Sequence, residues 1–182
     1  MTPKISVYIA ASLDGFIARK NGEIDFLTAA GEGGEDYGYV EFISSVDLLV
    51  MGSHTYEKAL SFTSWPYSDK KVIVLSSRGL VLPKELKDKV EVLNRSPRDL
   101  VDALTRRSIQ HVYLDGGRTI QLFLKEGLVD EMTITIIPVL IGEGLPLFGR
   151  LVQDLKFQLI GSKSFKNGFV QNKYRAGIKS SP

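Results

Sequence analysis

The feature that most constrains this 182-residue chain is an alternation of short, dense apolar runs with longer segments of helical spacing. Lys4–Ala11 (KISVYIAA), Asp47–Met51 (DLLVM), Lys71–Leu75 (KVIVL) and His111–Leu114 (HVYL) have strand length and are rich in β-branched residues. A strand that is apolar at nearly every position must be covered on both faces, as in a parallel sheet lying between helices. The intervening segments supply those helices. Tyr39, Val40, Phe42, Ile43 and Val46 recur at helical spacing within Asp36–Val46, and Gly52-Ser53-His54-Thr55 opens a second helix through Leu60. Ser96-Pro97 starts a third, running to about Arg107, because proline suits the first helical turn. Gly116-Gly117 leads into a fourth that ends at Lys125. A short strand near Val90–Leu93 and a strand-rich stretch Glu131–Leu140 complete the alternation. The last segment differs: Phe157–Phe165 and Phe169–Ile178 flank Asn167-Gly168, a strong hairpin signal. The pattern predicts a three-layer α/β/α domain with a mixed, mostly parallel central sheet and a C-terminal antiparallel hairpin at one edge. The length matches one domain of roughly 100–200 residues, and no linker or repeat divides residues 1–182.

The chain has no cysteine, which excludes disulfide frameworks, thiolate zinc sites and cysteine nucleophiles. No run approaches the roughly 18–20 apolar residues of a membrane span, and the N-terminus MTPKISVYIAASLDG is too weakly apolar for a signal peptide. The expectation is a cytoplasmic protein with no membrane partner. The net charge of +2 is unevenly spread. No acidic residue follows Asp154, whereas Lys156, Lys163, Lys166, Lys173, Arg175 and Lys179 do. This basic end is either a solvated strand face or a contact for a phosphate-bearing substrate. With no aromatic-interleaved RNA motif or DNA-reading helix, no nucleic-acid partner is expected.

Ligands of open α/β sheets bind where strand ends meet loops and helix N-termini. Three such junctions carry small or hydroxyl residues: Gly52-Ser53-His54-Thr55 after DLLVM, Ser76-Ser77-Arg78 after KVIVL, and Gly116-Gly117-Arg118-Thr119 after HVYL. The first and third open helices, whose N-termini favour anions. Any one of them is explained by ordinary helix capping. Three in succession point to an extended polyphosphate ligand such as a dinucleotide, although neither G-x-G-x-x-G nor the P-loop pattern occurs.

In order, ISVYIAASLDGFIA, DLLVMGSHTYE, VIVLSSR and DGGRTIQLFL resemble the dihydrofolate reductase superfamily. Within it, LDGGRTIQLFLKEGLVDEMTITIIPVLIGEGLPLF resembles the C-terminal reductase domain of the riboflavin-biosynthesis deaminase-reductase and its stand-alone bacterial relatives, over about Ile5 to Tyr174. The resemblance implies NADPH along the strand ends. It places Ala10 and Ile17 at the nicotinamide carboxamide and Gly52, Ser53, His54 and Thr55 at the pyrophosphate and adenosine side. It places Leu75, Ser76, Ser77 and Arg78 around the adenosine and its 2′-phosphate, and Gly116, Gly117, Arg118, Thr119 and Ile120 at the pyrophosphate. Many relatives carry a cation where this chain has Ser53; Arg78 and His54 are the candidates to replace it.

The resemblance also implies a pterin-binding carboxylate, which a gapless count back from Gly52 puts at Asp36. Two readings of Asp36 are open: a general acid whose pKa is raised in an apolar pocket, or the cap of the helix that begins there. Asp14 in SLDG reads as a turn residue. Asp115 either contacts substrate or holds its turn, and Glu143 reads as solvated. His111 reads as a surface residue at a strand start, and Trp65 as a packing residue beside the cofactor. The irregular stretch Arg19–Glu35, with its Gly31–Gly34 cluster, reads as a functional loop.

The implied activity is an NADPH-dependent reductase acting on a small pteridine- or pyrimidine-like heterocycle. The alternatives are a 5-amino-6-(5-phosphoribosylamino)uracil reductase, a dihydrofolate reductase proper, and a non-catalytic nucleotide-binding module. Leu128–Leu140 is more apolar than an exposed edge strand should be, and riboflavin-type relatives pair, so a homodimer is expected.

Overall fold

The computed structural model describes residues 1–28, 35–67 and 69–177. The apolar runs become strands as predicted, β1 (Lys4–Ser12), β2 (Phe16–Ala18), β3 (Leu48–Gly52), β4 (Lys71–Leu75), β5 (Val90–Leu93), β6 (His111–Asp115), β7 (Glu131–Ile137), β9 (Phe157–Ser164) and β10 (Val170–Ala176), and a further short strand, β8 (Leu145–Pro146), forms where a break was expected. The helices are α1 (Asp25–Thr28), α2 (Tyr39–Ser44), α3 (Ser53–Leu60), α4 (Pro97–Arg106) and α5 (Gly117–Lys125).

Eight strands form one sheet in the order β5-β4-β3-β6-β1-β7-β10-β9. The first six are parallel, and the direction reverses at β7, where β10 and then β9 pair antiparallel. β2 and β8 make a separate two-stranded ribbon. The Asn167-Gly168 turn closes the hairpin through Phe165 N–H to the Phe169 carbonyl and Gly168 N–H to the Phe165 carbonyl, both 2.9 Å, with Gly168 at φ 85°. Only a residue tolerant of the left-handed region fits there.

The sheet divides the apolar residues into two layers. On one face Ile5, Val7, Val50, Val112, Leu114 and Met132 pack against Leu100 and Leu104 of α4 and Ile120, Phe123 and Leu124 of α5. On the other, Leu49, Met51, Val72, Val74 and Tyr113 pack against Tyr56 of α3 and Tyr39, Phe42 and Ile43 of α2. This is the three-layer α/β/α arrangement with a mostly parallel sheet that the sequence predicts. A third cluster, Phe26, Ile137, Phe165 and Phe169, ties α1 and the hairpin turn to the end of β7.

Two expectations change. The first helix is shorter than Asp36–Val46, because Gly38 takes φ 89° and α2 starts only at Tyr39. The run within Leu128–Leu140 is no edge strand: β7 lies between β1 and β10, so its apolar side chains are buried within the chain. The physical ground for reading a dimer from that run is therefore gone. The sheet edge on this side is β9, which is exposed along nearly its whole length. The Gly31–Gly34 cluster and Lys179 lie outside the described residues.

Candidate active site

Because β4, β3 and β6 are adjacent and parallel, their C-terminal ends emerge side by side, and the three junctions converge. A Cβ on Gly116, at φ 89°, would collide with the Thr55 hydroxyl, and one on Gly52 would come within 3.0 Å of Thr119 Oγ1. The ribbon closes over the start of α5: a Cβ on Gly117 would lie 2.9 Å from Ile17 Cδ1 and 3.0 Å from the Pro146 carbonyl. Glycine is thus required by close approach from both sides. The second junction joins through Arg78, whose Nη2 donates to Ser53 Oγ at 3.3 Å and to Glu57 Oε1 at 2.8 Å. Ser76 Oγ accepts from Arg78 N–H at 3.2 Å and donates to its carbonyl at 2.9 Å, shaping that turn. Ser77, His54 and Arg118 are exposed around this assembly, and Leu75 packs partly against the core. Ile120 is the exception. It is fully buried, and its N–H is bonded within α5 to the Gly116 carbonyl, so it presents nothing to a ligand.

Beside the junctions, on the α2 face of the sheet, lies a cavity of about 280 Å³. Ala10, Ile9, Leu27, Ile137 and Phe169 give it apolar walls; Tyr8, Tyr37 and Tyr39 add aromatic rings; Asp36 and Thr135 add polar atoms. No lysine or arginine is among the described residues that line it. Tyr8 O–H donates to the Tyr37 carbonyl at 2.5 Å, and Gln171 Nε2 donates to that carbonyl at 3.1 Å, to Tyr8 Oη at 3.0 Å and to Thr135 Oγ1 at 3.0 Å. This network holds Tyr37 at φ 54°, a conformation that non-glycine residues rarely adopt.

The two acid candidates separate clearly. Asp36 is exposed, and its carboxylate accepts the N–H groups of Val40 at 2.9 Å and Gly38 at 3.1 Å. Those bonds hold its pKa below the usual carboxylate range. This geometry corrects the general-acid reading: Asp36 caps α2, and its ionised form is the stabilised one. Asp115 shows the opposite behaviour. It ends β6 directly before the glycine turn, accepts from Tyr67 O–H at 3.2 Å and from Gly116 N–H at 2.8 Å, and its pKa is raised by burial, which outweighs both bonds. Around it, Tyr39 is pushed up to about 12 and Tyr67 and Tyr113 upward as well, each mainly by burial. Burial thus favours the protonated form of Asp115, which sits among phenols directly before the glycine turn.

The remaining candidates have structural roles. Asp14 accepts from Ser12 Oγ–H at 2.6 Å and from Gly142 N–H at 2.7 Å, so it joins its turn to the loop after β7. Trp65 stacks edge-on between Tyr56 and Tyr67, which is packing. Glu143 is exposed and paired with Lys20. His111 departs from expectation: it is half-buried, with Nε2 2.8 Å from Ser6 Oγ and Nδ1 3.0 Å from the Ser45 carbonyl. Tyr8, Tyr37 and Thr135 escaped the sequence reading. One signal was present: Thr133 and Thr135 alternate with apolar residues in EMTITII, marking a strand face that is not core.

The fold is that of a dihydrofolate reductase-like domain of the kind found in riboflavin-biosynthesis reductases. The chain belongs to the RibD C-terminal domain family, whose pattern it matches over residues 3–171. It is 37% identical over 168 residues to the uncharacterized protein YwjB of Bacillus subtilis, covering 91% of this chain and 94% of that one. A crystal structure of a Shewanella sp. PV-4 protein named for riboflavin biosynthesis superposes with a TM-score of 0.90 at 41% identity, covering 97% of this chain and 99% of that one. RibD from Acinetobacter baumannii shares the fold with a TM-score of 0.73 at 22% identity; 97% of this chain matches 58% of that longer one.

Proposed function

We propose that this protein is an NADPH-dependent reductase that transfers hydride to a pteridine- or pyrimidine-like heterocycle. The observation that carries the reading is the closure of Gly52, Thr55, Gly116 and Gly117 onto one another and onto Ile17, next to a cavity of ring size. The glycines pack the two helix starts tightly against each other and against Ile17, and the N-termini of α3 and α5 there favour the negative charge of a pyrophosphate. The residues present therefore fit a dinucleotide. Arg78, held over Ser53, suits the dianion of a 2′-phosphate.

NADPH bound there would supply hydride from its nicotinamide C4. The chain's own part is to bind, orient and protonate. Tyr8, Tyr39 and Phe169 offer faces for a planar ring, and Thr135 offers a polar atom for its edge. Reduction of a ring C=N takes a hydride at carbon and a proton at nitrogen, and Asp115 is the residue assigned to hold that proton. The direct test is absorbance loss of NADPH over a panel of pteridines, pyrimidines and 5-amino-6-(5-phosphoribosylamino)uracil, beside cofactor titration. Cofactor binding with turnover of one ring class supports the proposal; binding without turnover on any supports a non-catalytic module. A homodimer belongs to the same proposal, supported by the free β9 edge and the exposed Leu159 and Ile160 upon it. A monomeric mass by light scattering at micromolar concentration would refute it.

A further inference from the structure

Strand β10 pairs antiparallel with β7 so that Gln171 lies directly opposite Thr135. Opposed side chains of a strand pair are within reach of each other. From there the Gln171 amide meets three oxygens: Thr135 Oγ1 at 3.0 Å, Tyr8 Oη at 3.0 Å and the Tyr37 carbonyl at 3.1 Å. A carbonyl can only accept, so the end of the amide turned to Tyr37 is its nitrogen, and an amide nitrogen can only donate. Tyr8 gives its own proton to the same carbonyl at 2.5 Å, so both lone pairs of that carbonyl are taken and Tyr8 Oη stands as an acceptor toward Gln171. The two N–H groups of Gln171 are divided among the three acceptors. The proton that this network leaves uncommitted is that of Thr135: its oxygen accepts from Gln171, so its O–H is turned away from the amide. Thr135 is 5% exposed and lines the ring-sized cavity with Tyr8, Tyr37 and Tyr39.

We propose that Gln171 is a positioning residue that fixes Thr135 as a hydrogen-bond donor toward the cavity, and that Thr135 thereby selects rings by the polarity of the edge they present. The inference rests on the reading of this cavity as the ring site of a reductase. A hydroxyl left to itself rotates and serves as donor or acceptor, so a lone threonine would not tell an oxo group from an amino group. With its oxygen engaged by Gln171, Thr135 presents its proton, which matches an oxo oxygen or a bare ring nitrogen. An amino group in the same place would set two donors against each other, and a buried polar group left unpaired costs more than an ordinary bond gains. Gln171 is not among the described residues that line the cavity, so its effect passes through Thr135. Because Gln171 belongs to β10, the C-terminal hairpin takes part in choosing the substrate.

The test is calorimetric titration of the cofactor-free protein at neutral pH with two rings of the same frame, 2,4-dioxopteridine and 2,4-diaminopteridine. The dioxo ring is expected to bind about tenfold or more tightly than the diamino ring. Thr135→Val, which keeps the side-chain volume, should weaken the dioxo ring about tenfold and leave the diamino ring unchanged. Gln171→Met keeps the side-chain length but frees the Thr135 hydroxyl to rotate, so the diamino ring should gain affinity and the preference should fall toward parity. A merely structural role of Gln171 would weaken both rings alike. Equal affinity for the two rings in the wild type, an unchanged preference in either variant, or parallel loss of both rings in Gln171→Met overturns the proposal. Binding of neither ring overturns it together with the ring-site reading beneath it. An oxo preference that is lost in both variants, in a protein that does not oxidise NADPH, upholds the polarity inference and removes only the reductase reading.

Discussion

The Thr55 hydroxyl occupies the space into which a Cβ on Gly116 would project, so helix α3 and the turn before α5 are fitted to each other at a single glycine. Gly116→Ala should therefore be costly twice over. The positive φ alone costs an L-residue about 1–2 kcal/mol, and the collision adds to it. Denaturant titration should show Thr55→Ala recovering the second part in the double variant but not the first. Full additivity of the two substitutions would contradict the contact.

Arg78 is shared between Ser53 and Glu57, on the side assigned to the adenosine phosphate. Arg78→Ala should raise KM for NADPH about tenfold or more and leave KM for NADH nearly unchanged. Glu57→Gln releases the guanidinium from its carboxylate and should lower KM for NADPH. Equal effects of Arg78→Ala on both cofactors would remove the 2′-phosphate assignment.

The contrast between the two carboxylates gives a paired experiment. Asp115→Asn should lower turnover by about 10²–10⁴-fold, the range of a general acid, with cofactor affinity retained. Asp36→Asn should leave turnover largely intact and only slightly lower stability, because it weakens the bonds to Gly38 and Val40 N–H. The pH dependence follows the raised pKa of Asp115: wild-type turnover falls as pH rises through that value, and the limb disappears in Asp115→Asn. Stability has the same sign. The folded protein holds a proton that the unfolded chain releases at an ordinary carboxylate pKa, so this contribution is lost as pH rises from there through the raised value.

His111 works in the other direction. Burial lowers its pKa, opposed by the bond to the Ser45 carbonyl, so the folded protein sheds a proton that the unfolded imidazole keeps below about pH 6.5. Melting temperature should fall as pH drops through 6.5 toward the folded value and then level off with respect to this group. His111→Asn should flatten that part of the profile, leaving the steeper loss at lower pH that comes from carboxylates such as Asp47, held down by the His111 and Gln110 N–H groups.

Much of the fold was legible because its signals are local. KVIVL and HVYL can satisfy their apolar faces only inside a parallel sheet, and Ser96-Pro97 and Asn167-Gly168 carry their own turn chemistry. The glycine junctions were legible for the same reason, since Gly52 and Gly116 sit at fixed places after strands. The acid was not. Asp36 and Asp115 are the same residue type at comparable punctuation points, and only three-dimensional surroundings separate them. Asp36 meets two backbone N–H groups in open water, whereas Asp115 meets tyrosines drawn from positions 39, 67 and 113.

The position of β1 in the sheet bears on how the chain can be made. It pairs with β6 on one side and β7 on the other, partners that lie more than a hundred residues later in the sequence. A strand synthesised first but closed last keeps Ile5, Val7 and Ile9 without their partners while most of the chain emerges from the ribosome. Long-range parallel pairing of this kind is slow, and exposed strand edges in such intermediates invite aggregation. The order of translation thus leaves β1 unpaired on both sides until β6 and β7 have been made, whereas the β9–β10 hairpin, made afterwards, can zip onto an already completed edge.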